Sequence, residues 1–500
     1  MSNPMASIAF FPRSQTRFLM MDLARELVSR YDSAIHVYCY GPQEVEFYES
    51  HNKDGVFASI NDANQVHGVT FDETLDEADV YERARALEKR IGYTINRMIV
   101  ADRHFGRGYS LAGCYHMRSR TSENTDNVQM VDAITRNLEF WENEFSEKSI
   151  TLCMNGSREA AYISQARDVP FRIMAGSRFK NMHYWAWNEM YETPRFEETW
   201  RQIEEVPEHD IDLPYYTHRV SRGLYRNRMS FAALVKRTVM TVLQTTYWRL
   251  RGYQKGKNYY FRDRLMLGYR IWRENRRLEK LATTTLPDLE GKRFVYFPLH
   301  IEPEMALHGI SPEFFYQHSA IAALSRDLPA GVFLAVKEAF GAIGRRPDTF
   351  YRQVADLKNV IWLETWEPGF ECAQKADAVA TICGTAGLEG LVSGTPVIAF
   401  GHHNLYNFLS SVRVVEDERD LKGFLDDALS GAIDPETTRA DARKLLKAID
   451  DNSFDLRQYD YVTLEDFDEE TVMAACDALA TSLENRSEAD ALPARDAATG

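Results

Sequence analysis

Residues 376–401 read ADAVATICGTAGLEGLVSGTPVIAFG, and the fold follows from how this stretch is parsed. Ala378 to Ile382 is a short apolar run of buried-strand type, and Gly384-Thr385-Ala386-Gly387 is the turn behind it. Leu388, Leu391 and Val392 then recur at helical spacing until Ser393-Gly394, and Pro396 to Phe400 resumes as a strand. Strand, turn, helix and strand in so few residues make a minimal βαβ unit. Glycines at such a turn let backbone N–H groups approach a ligand, and the helix N-terminus behind it favours negative charge. The spacing fits neither the dinucleotide pattern GxGxxG nor the P-loop, which needs Gly-Lys-Ser/Thr. Small residues here also suit tight strand–helix packing, so a phosphate or carboxylate site and a packing device are both open readings.

Outward from this unit the alternation continues. Strands are expected at 294–297, 332–336, 360–363, 378–382 and 396–400, with helices near 313–327, 348–357, 369–375 and 386–392. That pattern predicts a doubly wound α/β domain over 290–432. The N-terminal part repeats it. Strands are expected at 6–11, 34–40, 150–154 and 170–174, and helices at 16–29, 77–101, 126–147 and 156–166, giving a Rossmann-like domain over 1–182. Asn52 to Glu77 is polar and reads as a loop. The expected fold class is α/β, two Rossmann-like domains facing a cleft, with a helical basic insert at 183–289, C-terminal helices at 433–483 and a disordered tail at 484–500.

Five hundred residues with 44% hydrophobic and 27% charged side chains suit a soluble globular enzyme. Six cysteines without a CxxC pair point to a reducing compartment without structural zinc. Arg13 and Arg17 interrupt the apolar start, so no signal peptide is expected, and no apolar run is long enough to span a bilayer. The expected location is cytoplasmic.

The net charge of −15 conceals an asymmetry, because residues 219–280 hold 17 Lys/Arg against three acids, a local +14 that leaves −29 elsewhere. An acidic body excludes general nucleic-acid binding, whereas a concentrated basic segment suits one anionic surface. Within it Ala232, Val235, Val239, Val242, Leu243, Tyr247 and Leu250 share a helical face. Two readings stand: a helix lying in an anionic inner-membrane interface, and an internal hairpin whose stripe packs on the protein.

Ligands gather at the carboxyl ends of strands in doubly wound sheets. In the second domain three loops meet that condition: Pro298 to Glu304 with His300, Glu302 and Glu304; Lys337-Glu338; and Gly384-Thr385-Ala386-Gly387 with Glu389 one helical step inside. They combine a cation and backbone donors for phosphate oxygens with a carboxylate for ribose hydroxyls, which suits a sugar nucleotide and not hydride transfer. His300 and Glu302 are the candidates at the reacting centre; HxExE has no recognised metal-ligand spacing, so no metal is expected. In the first domain Arg13, Ser14, Arg103 and Arg178 are candidates for holding an acceptor, with helix capping by Ser14 and solvated arginines as the plain alternative.

Val336-Lys337-Glu338, Phe350-Tyr351, Asn359-Val360, FPLHIEPE at 297–304 and the run T-x-x-G-T-x-G-x-E-x(4)-G-x-P-V-I from Thr381 resemble the bacterial capsule polysaccharide biosynthesis family, glycosyltransferases of GT-B architecture related to the capsule Kdo transferases. The resemblance spans about residues 293–407. It implies transfer of a sugar from a nucleotide-sugar donor to a growing capsular or lipopolysaccharide glycan, polymeric or lipid-linked. The donor would lie on Lys337, Glu338, Gly384, Thr385, Ala386, Gly387 and Glu389. It also implies no cofactor and no metal. One departure stands out: the family's Lys-Glu-His-Pro is Lys337-Glu338-Ala339-Phe340 here, and neither Ala339 nor Phe340 has a side chain that can donate to a phosphate. A sugar-nucleotide 2-epimerase and an inactive glycan-binding component of capsule assembly or export are the alternatives.

Overall fold

A computed structural model of the chain describes residues 3–12, 16–63, 74–101, 125–207, 229–252, 261–302, 304, 306–314, 316–456 and 467–484. The backbone divides into two compact units, one from residues 1–99, 125–204 and 446–500, the other from 100–124 and 205–445. Strands are numbered in chain order.

The first unit is built on a sheet of β1 (Ser7–Phe10), β2 (Ala34–Cys39), β3 (Phe57–Asp62), β4 (Leu152–Met154), β5 (Phe171–Gly176), β6 (Met182–Ala186) and β13 (Phe454–Asp455). Their order is β13-β6-β5-β4-β1-β2-β3, with β1 to β5 parallel and β6 antiparallel to both its neighbours. Helices cover both faces, so β1 and β4 are buried along their whole length and read as unbroken apolar runs. The core joins Ile8, Phe10, Leu23 and Val37 to Cys476 and Leu479 of the Glu469–Glu484 helix.

The structure differs from the sequence reading at several elements of this unit. The polar stretch after Asn52 contains β3, which adds to the sheet beside β2 with Phe57 inward. The long helix expected over 77–101 is two helices, Glu77–Ile91 and Ile95–Ala101, because Gly92 ends the first in the left-handed conformation at φ 67°. Tyr184-Trp185-Ala186, read as lying past the sheet, forms most of β6; Trp185 donates to the Ala475 carbonyl at 2.9 Å.

The second unit holds β7 (Arg293–Pro298), β8 (Val332–Lys337), β9 (Val360–Trp362), β10 (Ala378–Thr381), β11 (Val397–Ala399) and β12 (Val412–Val414). All pairs are parallel, in the order β12-β11-β10-β7-β8-β9. Counted within the unit this is 3-2-1-4-5-6 read from the other edge, the doubly wound order whose switch point lies between its first and fourth strands. Here those strands are β7 and β10. The two units are thus both doubly wound α/β layers, and β1 and β4 flank the equivalent point in the first.

The basic insert contributes two long helices, Phe231–Leu250 and Phe261–Leu281, to the second unit. The second is anchored through Ile271, whose backbone lies so close to Gly344 that a Cβ there would stand 2.5 Å from Ile271 N. Gly344 has φ 83°, so both shape and conformation demand glycine. Arg270 fastens the same contact by donating to the carbonyls of Gly344 at 3.1 Å and Arg346 at 2.9 Å. Of the tail expected at 484–500, Glu484 ends the Glu469–Glu484 helix and residues 485–500 lie outside the described residues.

Candidate functional site at the switch point of the second sheet

Parallel strands end together, so the loops after β7, β8, β9 and β10 emerge along one edge of the sheet. The loops after β7 and β10 are joined directly. The Cys383 amide donates to His300 Nε2 at 3.0 Å, so this neutral ring carries its proton on Nδ1. Gln317, fully buried, clamps the His300 backbone from both sides, accepting from its N–H at 2.6 Å and donating to its carbonyl at 3.1 Å. His300 therefore sits at the switch point with its ring orientation fixed by the β10 loop.

Glu302 and Glu338 share one buried partner. Arg346 lies between them with its side chain fully buried. It donates to both oxygens of Glu338 at 2.8 and 2.7 Å, to the His300 carbonyl at 2.7 Å, and to Glu302. Glu338 also accepts from Tyr351 Oη at 2.8 Å and from the Ala339 amide at 2.6 Å. Burial by itself would lower the Arg346 guanidinium; the facing Glu338 and Glu302 outweigh it and hold the group well above its ordinary range. Burial, then the Glu338 charge, pushes the Tyr351 phenol well up. Glu302, expected at the reacting centre, and Glu338, expected on the donor, both meet Arg346 between the β7 and β8 loops. Their side chains are 3% and 0% exposed.

The half-buried Lys337, at the end of β8, does face the edge. Its Nζ stands 5.5 Å from the centroid of the Phe340 ring, and Phe340 packs on Trp366 at 4.7 Å. Phe340 thus holds a lysine and a tryptophan at the place where the resemblance would put a proline. Across from them Glu389 occupies the first turn of the Ala386–Ser393 helix. A Cβ on Gly369 would lie 3.8 Å from Glu389 Oε2 and 3.6 Å from Tyr296 Oη. Burial pushes the Cys372 thiol up to about 12, with Lys337 pulling it down and Glu367, Glu371 and Glu389 pushing it further up.

The glycine-rich turn resolves partly toward packing. A Cβ on Gly387 would stand 2.2 Å from Tyr406 Oη, which donates to the Gly384 carbonyl at 3.0 Å. A Cβ on Gly384 would meet Thr381 Oγ1 at 2.8 Å and His300 Nε2 at 3.2 Å. These glycines make room for protein. Thr385 remains exposed at the helix start with no side-chain cap bond, and Ala386 behind it is buried. The first backbone N–H groups of a helix have no intrahelical acceptor.

In the first unit Arg178 is exposed, at φ 65° in the tight turn between β5 and antiparallel β6; Ser177 ties that turn by donating to the Met182 carbonyl at 2.9 Å. Arg13, Ser14 and Arg103 lie outside the described residues. Three residues that shape the edge carry no motif in sequence: Arg346, Tyr406 and Trp366. Trp366 was the most accessible of them, since TWEPGF directly follows an expected strand, as the other three loops do. Among the described residues no group of three His, Cys, Asp or Glu is placed to hold a metal ion.

No protein-family model matches the chain, and no curated protein matches it by sequence. Solved structures similar to it include KpsC of Thermosulfurimonas dismutans, a beta Kdo 2,4 transferase, at 12% identity, covering 58% of this chain and 78% of that one, TM-score 0.28. A UDP co-structure of MnaA from S. aureus has 8% identity over 88% and 90% of the two chains, TM-score 0.25. The glycosyltransferase VinC in complex with dTDP has 10% identity over 89% and 95%, TM-score 0.24. Superpositions this loose leave the strand order described above as the ground for the fold.

Proposed function

We propose that the chain is a nucleotide-sugar-dependent glycosyltransferase of GT-B type, with its donor at the switch point of the second sheet. One observation carries this reading. A lysine (Lys337), a carboxylate (Glu389), a neutral histidine with its proton on Nδ1 (His300) and an exposed helix start (Thr385) share one edge beside an aromatic pair (Phe340 and Trp366).

Each group has work to do with such a donor. Lys337 and the first amides of the Ala386–Ser393 helix stabilise the leaving phosphate, whose charge grows as the glycosidic bond breaks. Glu389 accepts from the ribose hydroxyls. His300, with Nε2 already accepting from Cys383, does not serve as a base through that atom. The acceptor in this reading is a capsular or lipopolysaccharide glycan, as the residues resembling the capsule family imply, and Arg178 with Arg13, Ser14 and Arg103 is the set proposed to hold it. The donor is a substrate, and the reading needs neither a cofactor nor a metal.

The test is thermal stabilisation by CMP, UDP, GDP and dTDP, for wild type and for Glu389→Ala and Lys337→Ala. A nucleotide at a hundredfold excess over Kd stabilises its unit by about 2.7 kcal/mol. One nucleotide should shift wild type and neither variant; no shift with any of the four refutes the donor site. Conversion of a free nucleotide sugar without acceptor would instead establish an epimerase.

A further inference from the structure

The Phe231–Leu250 helix is packed inside out. Its buried positions include Thr241 and Thr245, whereas Phe231, Val235, Val239, Leu243, Tyr247 and Leu250 are 48–82% exposed. At 100° per residue these six fall on one side of the helix, and Leu234, Arg237, Thr241 and Thr245 on the other. The inward side is held by polar contacts to the Phe261–Leu281 helix. Arg264 donates to Thr245 Oγ1 at 2.6 Å and to Gln244 Oε1 at 3.1 Å, and its guanidinium lies 4.3 Å from the Trp248 ring. Gly268 allows the close approach, for a Cβ there would stand 3.2 Å from Arg237 Cδ. Since Arg270 and Ile271 of the second helix are fastened to Gly344, the apolar stripe is carried on a braced support.

We infer that this exposed stripe seats in the interface of a bilayer containing anionic lipid, with the helix axis lying in the membrane plane. The stripe runs the length of 20 residues, about 30 Å. Lys236 and Arg237 fall in the second turn, and no described helix is long and apolar enough to cross a membrane, so the helix lies on a bilayer and does not span it. The helix contains no Asp or Glu; Lys236 is exposed within the stripe's arc, between Leu243 and Tyr247, and Arg249 and Arg251 are exposed at its C-terminal end. Charge decides the occupant. A second copy meeting this face about a two-fold axis would set one basic rim on another, in a segment that carries 17 Lys/Arg against three acids. A leaflet of anionic lipid takes the same rim as attraction, about 1 kcal/mol or fivefold in partition per basic residue. This inference stands apart from the donor site and survives its failure.

The experiment is co-sedimentation of the full chain with phosphatidylcholine vesicles, with and without about 30 mol % phosphatidylglycerol, at low and high salt. Wild type should bind the anionic vesicles, release at high salt and bind neutral ones weakly. The double variant Val239→Ser with Leu243→Ser should lose about tenfold or more in partition. Lys236→Glu with Arg249→Glu and Arg251→Glu should lose about a hundredfold or more. Leu250→Ser, changed at the most exposed position, gives an independent loss if the double variant folds poorly. Failure of wild type to sediment with anionic vesicles at low salt overturns the inference, as does binding that the serine variants leave unchanged. Concentration-dependent self-association in ultracentrifugation, abolished by the serine pair, would overturn it too and assign the face to a second copy.

Discussion

Arg346→Leu should damage the second unit far more than a surface ion pair would. Four hydrogen bonds are lost, to Glu338 twice, to Glu302 and to the His300 carbonyl, and two carboxylates that are at most 3% exposed remain without their cation. Removing one partner from a buried ion pair costs about 3–5 kcal/mol, most of it from the charge left behind. Exposed pairs such as Arg419–Asp417, screened by water, contribute far less. For units of about 150–250 residues each kcal/mol moves Tm by roughly 2–4 °C, so a drop of about 6–20 °C is expected. The assay is calorimetry, which also separates the two units if they melt apart. The loss should fall on the second unit alone. Adding Glu302→Gln and Glu338→Gln to Arg346→Leu should recover much of it, because neutral amides bury at lower cost than unpaired carboxylates. A loss under about 1 kcal/mol would refute the reasoning, since it would mean that both carboxylates reach water.

Gly387→Ala places a methyl 2.2 Å from Tyr406 Oη and should cost about 1–3 kcal/mol in chemical denaturation, while Gly423→Ala, with open space around it, should cost far less. Cys39, Cys153, Cys372, Cys383 and Cys476 are all buried, and burial pushes Cys39 and Cys372 up to about 12, so thiol titration of the native protein at pH 8 should find at most one fast group, with all six reacting in denaturant. Burial, with Lys148 adding to it, lowers His36 below its ordinary value. A base depressed in the folded state binds fewer protons there than in the unfolded chain, so the first unit should lose stability as pH falls through about 6.5, and His36→Gln should flatten that slope in thermal melts.

Much of the architecture is legible in the chain. Buried parallel strands must be apolar on both faces, so β7 to β11 appear as short unbroken runs between helical stripes, and their bounds fall within a residue or two of the expected ones. The loops that follow them are fixed as neighbours by parallelism alone, which is why His300, Lys337 and the 384–387 turn belong to one edge before any coordinates are known. What those loops do with their side chains is decided by distance in space. Glu302 looks reactive beside His300, yet its partner is Arg346, 44 residues on, and the burial that makes that pair structural has no signature in either residue's surroundings. Gly387 reads equally as a phosphate turn or as packing until Tyr406, 19 residues later, is seen standing against it. β3 hides in a polar stretch because an edge strand needs only one inward side chain in two. The basic helix marks the limit most clearly. Its periodicity establishes that the apolar side chains share a face, since 3.6 residues per turn require it. Whether that face turns inward depends on what the neighbouring helix offers, and Arg264 offers Thr245 and Gln244 hydrogen bonds.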